Sequence, residues 1–398
     1  MPRRSPLPPN IPCLALHDDA LKERVRADAK RVRHTYDQLA TIFNPPEFEE
    51  AARDVCTDSQ GAITLYNDFV QRTAVYHTIY PDTNKCPPEM LHIAEEEVGQ
   101  PVYTDLAVIV AVPKHLLHGE RSIIMTPAIR FHGGGVEYAS KGRNLVIVEF
   151  EYPLGPPIVP EQQIEDCIKS LWKWLFDNLQ NTLTSICGAN VDVRWDSVLI
   201  FGGSYGGRLA LIAWLASESL DYKPRKFSIL IVVLRSPVTT DYRRDPGPYV
   251  GTHISQARAN KDSERTFKLL KEIPWTIAQS ARTPPDYMFA APIFSIAHSH
   301  SRLLQGRPAI QMINETLHCP DTRTRFFISH GDKDTHVKLE DSKALVKSLE
   351  RWELIVYFKI QEGMGHALDV DEPLSEELQS FLDANLSDFG SLAEASGS

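Results

Sequence analysis

From about Asp105 to Asn385 short apolar runs alternate with amphipathic stripes, and this alternation restricts the fold more than any other feature of the chain. Leu106 to Val112 (LAVIVAV) is nearly continuous in apolar residues, as suits a strand covered on both faces, and Pro113 ends it. Ile123 to Phe131, Leu145 to Phe150, Val198 to Phe201, Phe227 to Leu234, Arg325 to Ser329 and Leu354 to Phe358 read the same way. Between them Ile164, Ile168, Leu171 and Leu175 fall at helical spacing. So do Leu209 to Leu215, then Leu339, Leu345 and Leu349, and finally Leu374, Leu378, Phe381 and Leu382. Strand and helix in turn predict an α/β fold, a mostly parallel central sheet with helices on both faces.

Two stretches stand outside the pattern. The first hundred residues read as mostly helical: a stripe of Leu21, Val25, Val32, Tyr36 and Leu39, a segment from Phe48 to Val55 and another from Ala62 to Tyr76. Between Leu234 and Arg325, the segments Thr252 to Glu272 and Ile277 to Leu304 are expected to be helical and irregular. An insertion there sits over the carboxyl ends of the strands, where open α/β sheets place ligands. The expected organisation is therefore an N-terminal helical segment over 1–104, part of a helical cap; a core over 105–240; a cap insertion over 241–320; the rest of the core over 321–387; and a flexible tail over 388–398.

Bulk properties exclude several functions. A formal charge of −10 argues against nucleic-acid binding, which needs a positive surface. The basic run Lys22 to Arg33 is interleaved with the helical stripe and reads as a solvated helix face. Prolines interrupt the start, MPRRSPLPPNIPCLAL, where a secretory signal needs an unbroken apolar run, and no run approaches the roughly 20 residues of a membrane span. A soluble cytoplasmic protein without a membrane span is expected. Its six cysteines are scattered without a C-x-x-C pair, as expected for reduced thiols with no metal or cofactor. His298 and His300, two apart, do not share a helix face and so do not suggest a metal pair.

The chemistry is concentrated in four places. In SVLIFGGSYGGRLALIAWL a strand runs into Gly202-Gly203-Ser204-Tyr205-Gly206 and then into a helix. A serine on so sharp a turn needs small neighbours, and the turn sets its hydroxyl at a helix N-terminus that favours developing negative charge. Arg130-Phe131-His132-Gly133-Gly134-Gly135 follows a strand, and its glycines leave backbone N–H groups free to face a cavity. Gly133 and Gly134, with Gly135 also available, are expected to form an oxyanion hole with the N–H of Tyr205, while His132 anchors the loop. In Phe326 to Val337 (FFISHGDKDTHV) a strand ends in a loop with two acids, Asp332 and Asp334. Gly363-Met364-Gly365-His366 follows the last strand. The order Ser204, Asp334, His366, each after a separate strand, is that of a nucleophile, an orienting acid and a general base.

Taken together, these residues make the chain resemble the α/β-hydrolase superfamily over about 105 to 385, and in particular the hormone-sensitive-lipase-like esterases marked by HGGG. Glu149 to Pro156 (EFEYPLGP) stands where those esterases carry a D-Y-R-L-A-P-E-like segment, without its arginine and acidic end. GGSYGG at Gly202 to Gly207, with H-G-x-x-D-x-x-V at His330 to Val337, is similar instead to prolyl-oligopeptidase-type peptidases, where the aspartate at the Asp334 position is the acid. The resemblance thus favours Asp334 over Asp332. It implies an α/β-hydrolase fold with a helical cap and a serine hydrolase that cleaves a small-molecule carboxylic ester, lactone or other acyl substrate through an acyl-enzyme. Acyl-peptide or amide hydrolysis and acyl transfer are the competing chemistries, and a non-catalytic ligand receptor on the same fold is the competing class.

Overall fold

The computed structural model describes residues 19–43, 69–117, 122–131, 136–140, 143–155, 157–249, 252–280, 290–316, 321–366 and 372–386. Eight strands form the main path of the sheet: β1 (Phe69–Ile79), β2 (Thr104–Pro113), β3 (Ile123–Phe131), β4 (Leu145–Phe150), β5 (Val198–Gly203), β6 (Ile229–Arg235), β7 (Arg325–Gly331) and β8 (Ile355–Gln361). Their order is β1-β2-β4-β3-β5-β6-β7-β8, and a short ninth strand, Val191–Val193, pairs with β3. Only β2 is antiparallel to its neighbours, β1 and β4; from β4 to β8 every pair is parallel. A parallel series with an antiparallel β2 and β3/β4 exchanged is the α/β-hydrolase order. It brings the carboxyl ends of β3, β5, β6, β7 and β8 to one edge.

Side-chain alternation explains why both faces are covered. On β5, Val198 and Ile200 join the apolar layer beneath α3 (Glu161–Cys187) and α4 (Ser204–Ala216), while Leu199 and Phe201 face the opposite layer with Leu378 and Leu382. On β7, Phe326 and Ile328 point one way and Phe327 the other. Strands wrapped on both faces bury every residue, hence the continuous apolar runs. The edge strand β8 instead leaves Ile355 and Tyr357 exposed.

A second apolar cluster lies apart from the sheet. It joins Val25, Val32, Leu39 and Phe43 of α1 (Asp19–Phe43) and Leu91 and Ala94 of α2 (Leu91–Val98) to three elements of the insertion. These are α5 (Gln256–Glu272), α6 (Ala290–Ile296) and Leu303 of α7 (His300–Leu303). The Tyr36 hydroxyl fastens the two parts, donating to the Ile277 carbonyl and accepting from its N–H, both at 2.9 Å. The following helix α8 (Ala309–Glu315) returns to the sheet, with Ala309 and Ile313 in its core alongside α9 (Leu339–Glu350).

The helix expected from Ala62 to Tyr76 does not form over its described part. Residues 69–79 are β1, paired along β2. A register shift between Val75 and His77 breaks the two-residue alternation and leaves Val75 exposed, so the strand's apolar residues imitate a helical stripe. The expected segment from Phe48 to Val55 lies outside the described residues. Cys86, Cys167 and Cys187 are buried free thiols. Among the described residues no helix is long and apolar enough to cross a membrane.

Candidate functional site

Ser204 stands between β5 and α4 with a φ of +52°, one of four positive-φ non-glycine residues among those described. A non-glycine residue in this region is strained and persists only where the surroundings enforce it. Here they do. The Ser204 carbonyl accepts the Val238 N–H at 2.9 Å, tying the turn to the segment after β6. A Cβ on Gly202 would lie 2.5 Å from the Gly206 carbonyl oxygen, so strand and helix meet closely enough to demand glycine. The Tyr205 N–H lies in the first turn of α4, where backbone donors have no intrahelical partner.

Past β7, Asp334 is held from four directions. Oδ1 accepts the N–H groups of His336 at 2.7 Å and Val337 at 2.9 Å; Oδ2 accepts from His366 Nδ1 at 2.7 Å and faces His330 Nε2 at 3.3 Å. Its side chain is wholly buried. Burial alone would raise the carboxyl pKa, but the hydrogen bonds from His330 and His366, the His366 charge and the Val337 N–H outweigh it and hold Asp334 well below the usual carboxylate range. An ionised carboxylate only accepts, so His366 Nδ1 carries a hydrogen and Nε2 is left open. His330 is fully buried, and its Nε2 donates to the Val337 carbonyl at 3.0 Å, which leaves Nδ1 to accept from Ser342 at 2.7 Å. His330 thus acts as a strut beneath the acid.

Asp332 points elsewhere, accepting the Gly363 N–H at 2.6 Å, while the Lys333 N–H donates to the Met364 carbonyl at 2.9 Å. The loop bearing His366 is therefore laced to the loop bearing Asp334. Gly331 permits this approach, because a Cβ there would fall on the carbonyl oxygens of Met364 and Gly365.

Ser204, Asp334 and His366 thus follow the ends of β5, β7 and β8, on one edge of the sheet. Asp334 and His366 are hydrogen-bonded to each other; among the described residues no hydrogen bond joins Ser204 to His366. His132, Gly133, Gly134 and Gly135 lie outside the described residues. Among the described residues no cluster of His, Cys, Asp and Glu could hold a metal ion.

Sequence reasoning missed the aromatic and cationic rim. Tyr205, next to Ser204, lies 5.9 Å from Tyr152 and 6.3 Å from His300, ring centre to ring centre, and His300 meets Tyr242 edge-on at 5.0 Å. Burial and the nearby Arg208 push His300 down to about 3. On the other side His336 lies 4.8 Å from the His366 ring; burial, with Arg244 and His366, lowers it to about 4. Both histidines are uncharged at neutral pH. Only the apolar-run context of each loop is visible in the sequence; which rings meet is set by the cap.

No protein-family model and no curated protein matches the chain. It is similar to solved structures of esterases. Esterase B from Lactobacillus rhamnosis, inhibited by a tributyrin phosphonate, is 15% identical over 85% of this chain and 95% of that one, with a TM-score of 0.44. Carboxyl esterase 2 from the mycorrhizal fungus Tuber melanosporum is 13% identical over 79% and 86%, with a TM-score of 0.44. A carboxylesterase from Lactobacillus plantarum is 12% identical over 72% and 93%, with a TM-score of 0.44.

Proposed function

We propose that the chain is a serine hydrolase that cleaves a carboxylic ester or lactone, with Ser204 as nucleophile, His366 as general base and Asp334 as the orienting acid. The observation that supports this reading is the 2.7 Å bond from His366 Nδ1 to the buried Asp334 carboxylate, which leaves Nε2 to act as base, in a loop that follows the same sheet edge as Ser204. In the first half-reaction His366 Nε2 takes the Ser204 proton as Oγ attacks the carbonyl carbon. Asp334 keeps the ring in the tautomer this requires and stabilises the imidazolium that forms. The Tyr205 N–H, with Gly133 and Gly134, receives the anionic oxygen. Collapse expels the alcohol, which takes the proton back from His366, and water repeats the sequence on the acyl-enzyme.

The strained turn serves this chemistry. It fixes Oγ at the start of α4, where both the free N–H groups and the helix dipole favour the developing negative charge. The test is turnover of short p-nitrophenyl esters beside aminoacyl p-nitroanilides. Ester turnover lost in Ser204→Ala, with the fold retained by circular dichroism, supports the reading; amide turnover exceeding ester turnover moves it to the peptidase side; full activity in Ser204→Ala removes it.

A further inference from the structure

Arg244, in the loop after β6, is only 8% exposed, yet among the described residues it has no carboxylate partner. Among the described residues its side chain makes one hydrogen bond, from Nη2 to the Tyr242 hydroxyl at 3.0 Å, and Nε and Nη1 are buried without an acceptor. The neighbouring acids are engaged elsewhere or turned outward. Asp241 faces Arg243 at 3.4 Å, Asp245 is exposed, and Asp334 already accepts from His336 N–H, Val337 N–H and His366 Nδ1. The guanidinium packs against the rings of Tyr249, 5.1 Å from its centre, and Tyr242, at 5.9 Å. Ring faces attract the charge but do not accept the in-plane N–H groups.

An arginine does not shed its proton, so burial of this kind leaves an uncompensated charge, an arrangement proteins rarely keep without a use. Its location supplies one. Arg244 is among the charges that lower His336, whose ring lies tilted 4.8 Å from that of His366; Tyr242, which Arg244 touches, meets His300, and His300 meets Tyr205 beside the nucleophile. The loop is also fastened to the cap, with the Arg244 N–H donating to the Ser295 carbonyl at 3.2 Å. A second buried guanidinium, Arg208, lies one turn after Ser204; it donates to the Arg307 carbonyl at 2.7 Å, and among the described residues its Nε is unpartnered and no carboxylate pairs with it. Arg208 adds positive potential around His300, and Arg244 adds it around His336.

We propose that Arg244 receives a carboxylate of the substrate, so that the ester cleaved at Ser204 is an anionic one. The inference rests on the serine hydrolase reading. A monoanion balances the single charge of the guanidinium, and Nε and Nη1 supply the donors that its oxygens need. A charge-assisted hydrogen bond formed in a buried site discriminates against a neutral analogue by about tenfold to a hundredfold.

The test compares kcat/KM for two pairs of esters on the full chain. p-Nitrophenyl hemiglutarate against p-nitrophenyl butyrate places the carboxylate on the acyl side; 4-acetoxybenzoate against phenyl acetate places it on the alcohol side. The wild type is expected to prefer the anionic member of one pair by tenfold or more. That ratio should collapse in Arg244→Gln and be partly restored in Arg244→Lys, with fluorophosphonate labelling of Ser204 confirming a folded site in each variant. Without any variant, butyrate should compete with the neutral ester where butyramide does not. Equal or lower turnover of both anionic esters, an unchanged ratio in Arg244→Gln, or equal inhibition by butyrate and butyramide overturns the proposal while leaving the hydrolase reading intact. Failure to hydrolyse any of the four esters or to label Ser204 removes the hydrolase reading and the proposal with it.

Discussion

Replacing Gly331 by alanine tests the candidate site without touching any of the three groups proposed to react. The added methyl would overlap the carbonyl oxygens of Met364 and Gly365, both backbone atoms of the loop that ends in His366. Non-bonded carbon contacts settle at about 3.5 to 4 Å, so the loop must retreat by about 1 Å. It is held in place by the Gly363 N–H on Asp332 and the Lys333 N–H on the Met364 carbonyl, so retreat also stretches those bonds. Overpacking of this kind costs about 1–3 kcal/mol of stability. A displacement of about 1 Å at a catalytic base costs about 10²-fold in rate. Gly331→Ala should therefore lose about 10²-fold in kcat on p-nitrophenyl butyrate with a smaller change in KM, and its thermal midpoint should fall by several degrees. Gly247→Ala, where a Cβ meets nothing within 4 Å, is the control. If Gly331→Ala keeps wild-type kcat and midpoint, the close approach of the two loops does not hold the base.

Three further outcomes follow from the same contacts. Asp334→Asn should lower kcat by about 10⁴ because the wrong histidine tautomer is then favoured, and Asp332→Asn, which weakens only the Gly363 contact, should cost far less; the reverse ranking in steady-state assays would exchange the two acids. Tyr36→Phe strands both the N–H and the carbonyl of Ile277, so urea unfolding should show a loss of about 1–3 kcal/mol, and a loss below about 0.5 kcal/mol would mean that the hydroxyl is not what joins α1 to the insertion. His336 is held near 4 against about 6.5 in an unfolded chain. The unfolded state thus binds more protons between these values, and stability should be full above pH 6.5 and fall as pH drops toward 4. Urea titrations at several pH values should show a shallower slope in His336→Asn; an identical slope would place the protonation elsewhere.

The sheet was legible because its central strands are wrapped on both faces, which forces continuous apolar runs such as VLIF in β5 and ILIVVL in β6. β1 was not, because it lies at an edge and carries a bulge, and its polar residues face water. In the candidate site, the turn around Ser204 and the loops after β7 and β8 were readable from glycines and chain order, since those constraints are local. The strut His330, His336 against the His366 ring and the buried Arg244 are not local. Their meaning depends on contacts between the loops and with the cap, which spacing along the chain does not encode. The loop of Gly133 to Gly135 lies outside the described residues.

The reactivity of Ser204 decides most directly whether the chain is a serine hydrolase. Incubating the protein with a fluorophosphonate and mapping the adduct by tandem mass spectrometry should place one modification on Ser204, formed quickly in the wild type and at least about 10²-fold more slowly in His366→Ala. An intact, folded protein that remains unmodified at Ser204, or is labelled equally fast without His366, would contradict it.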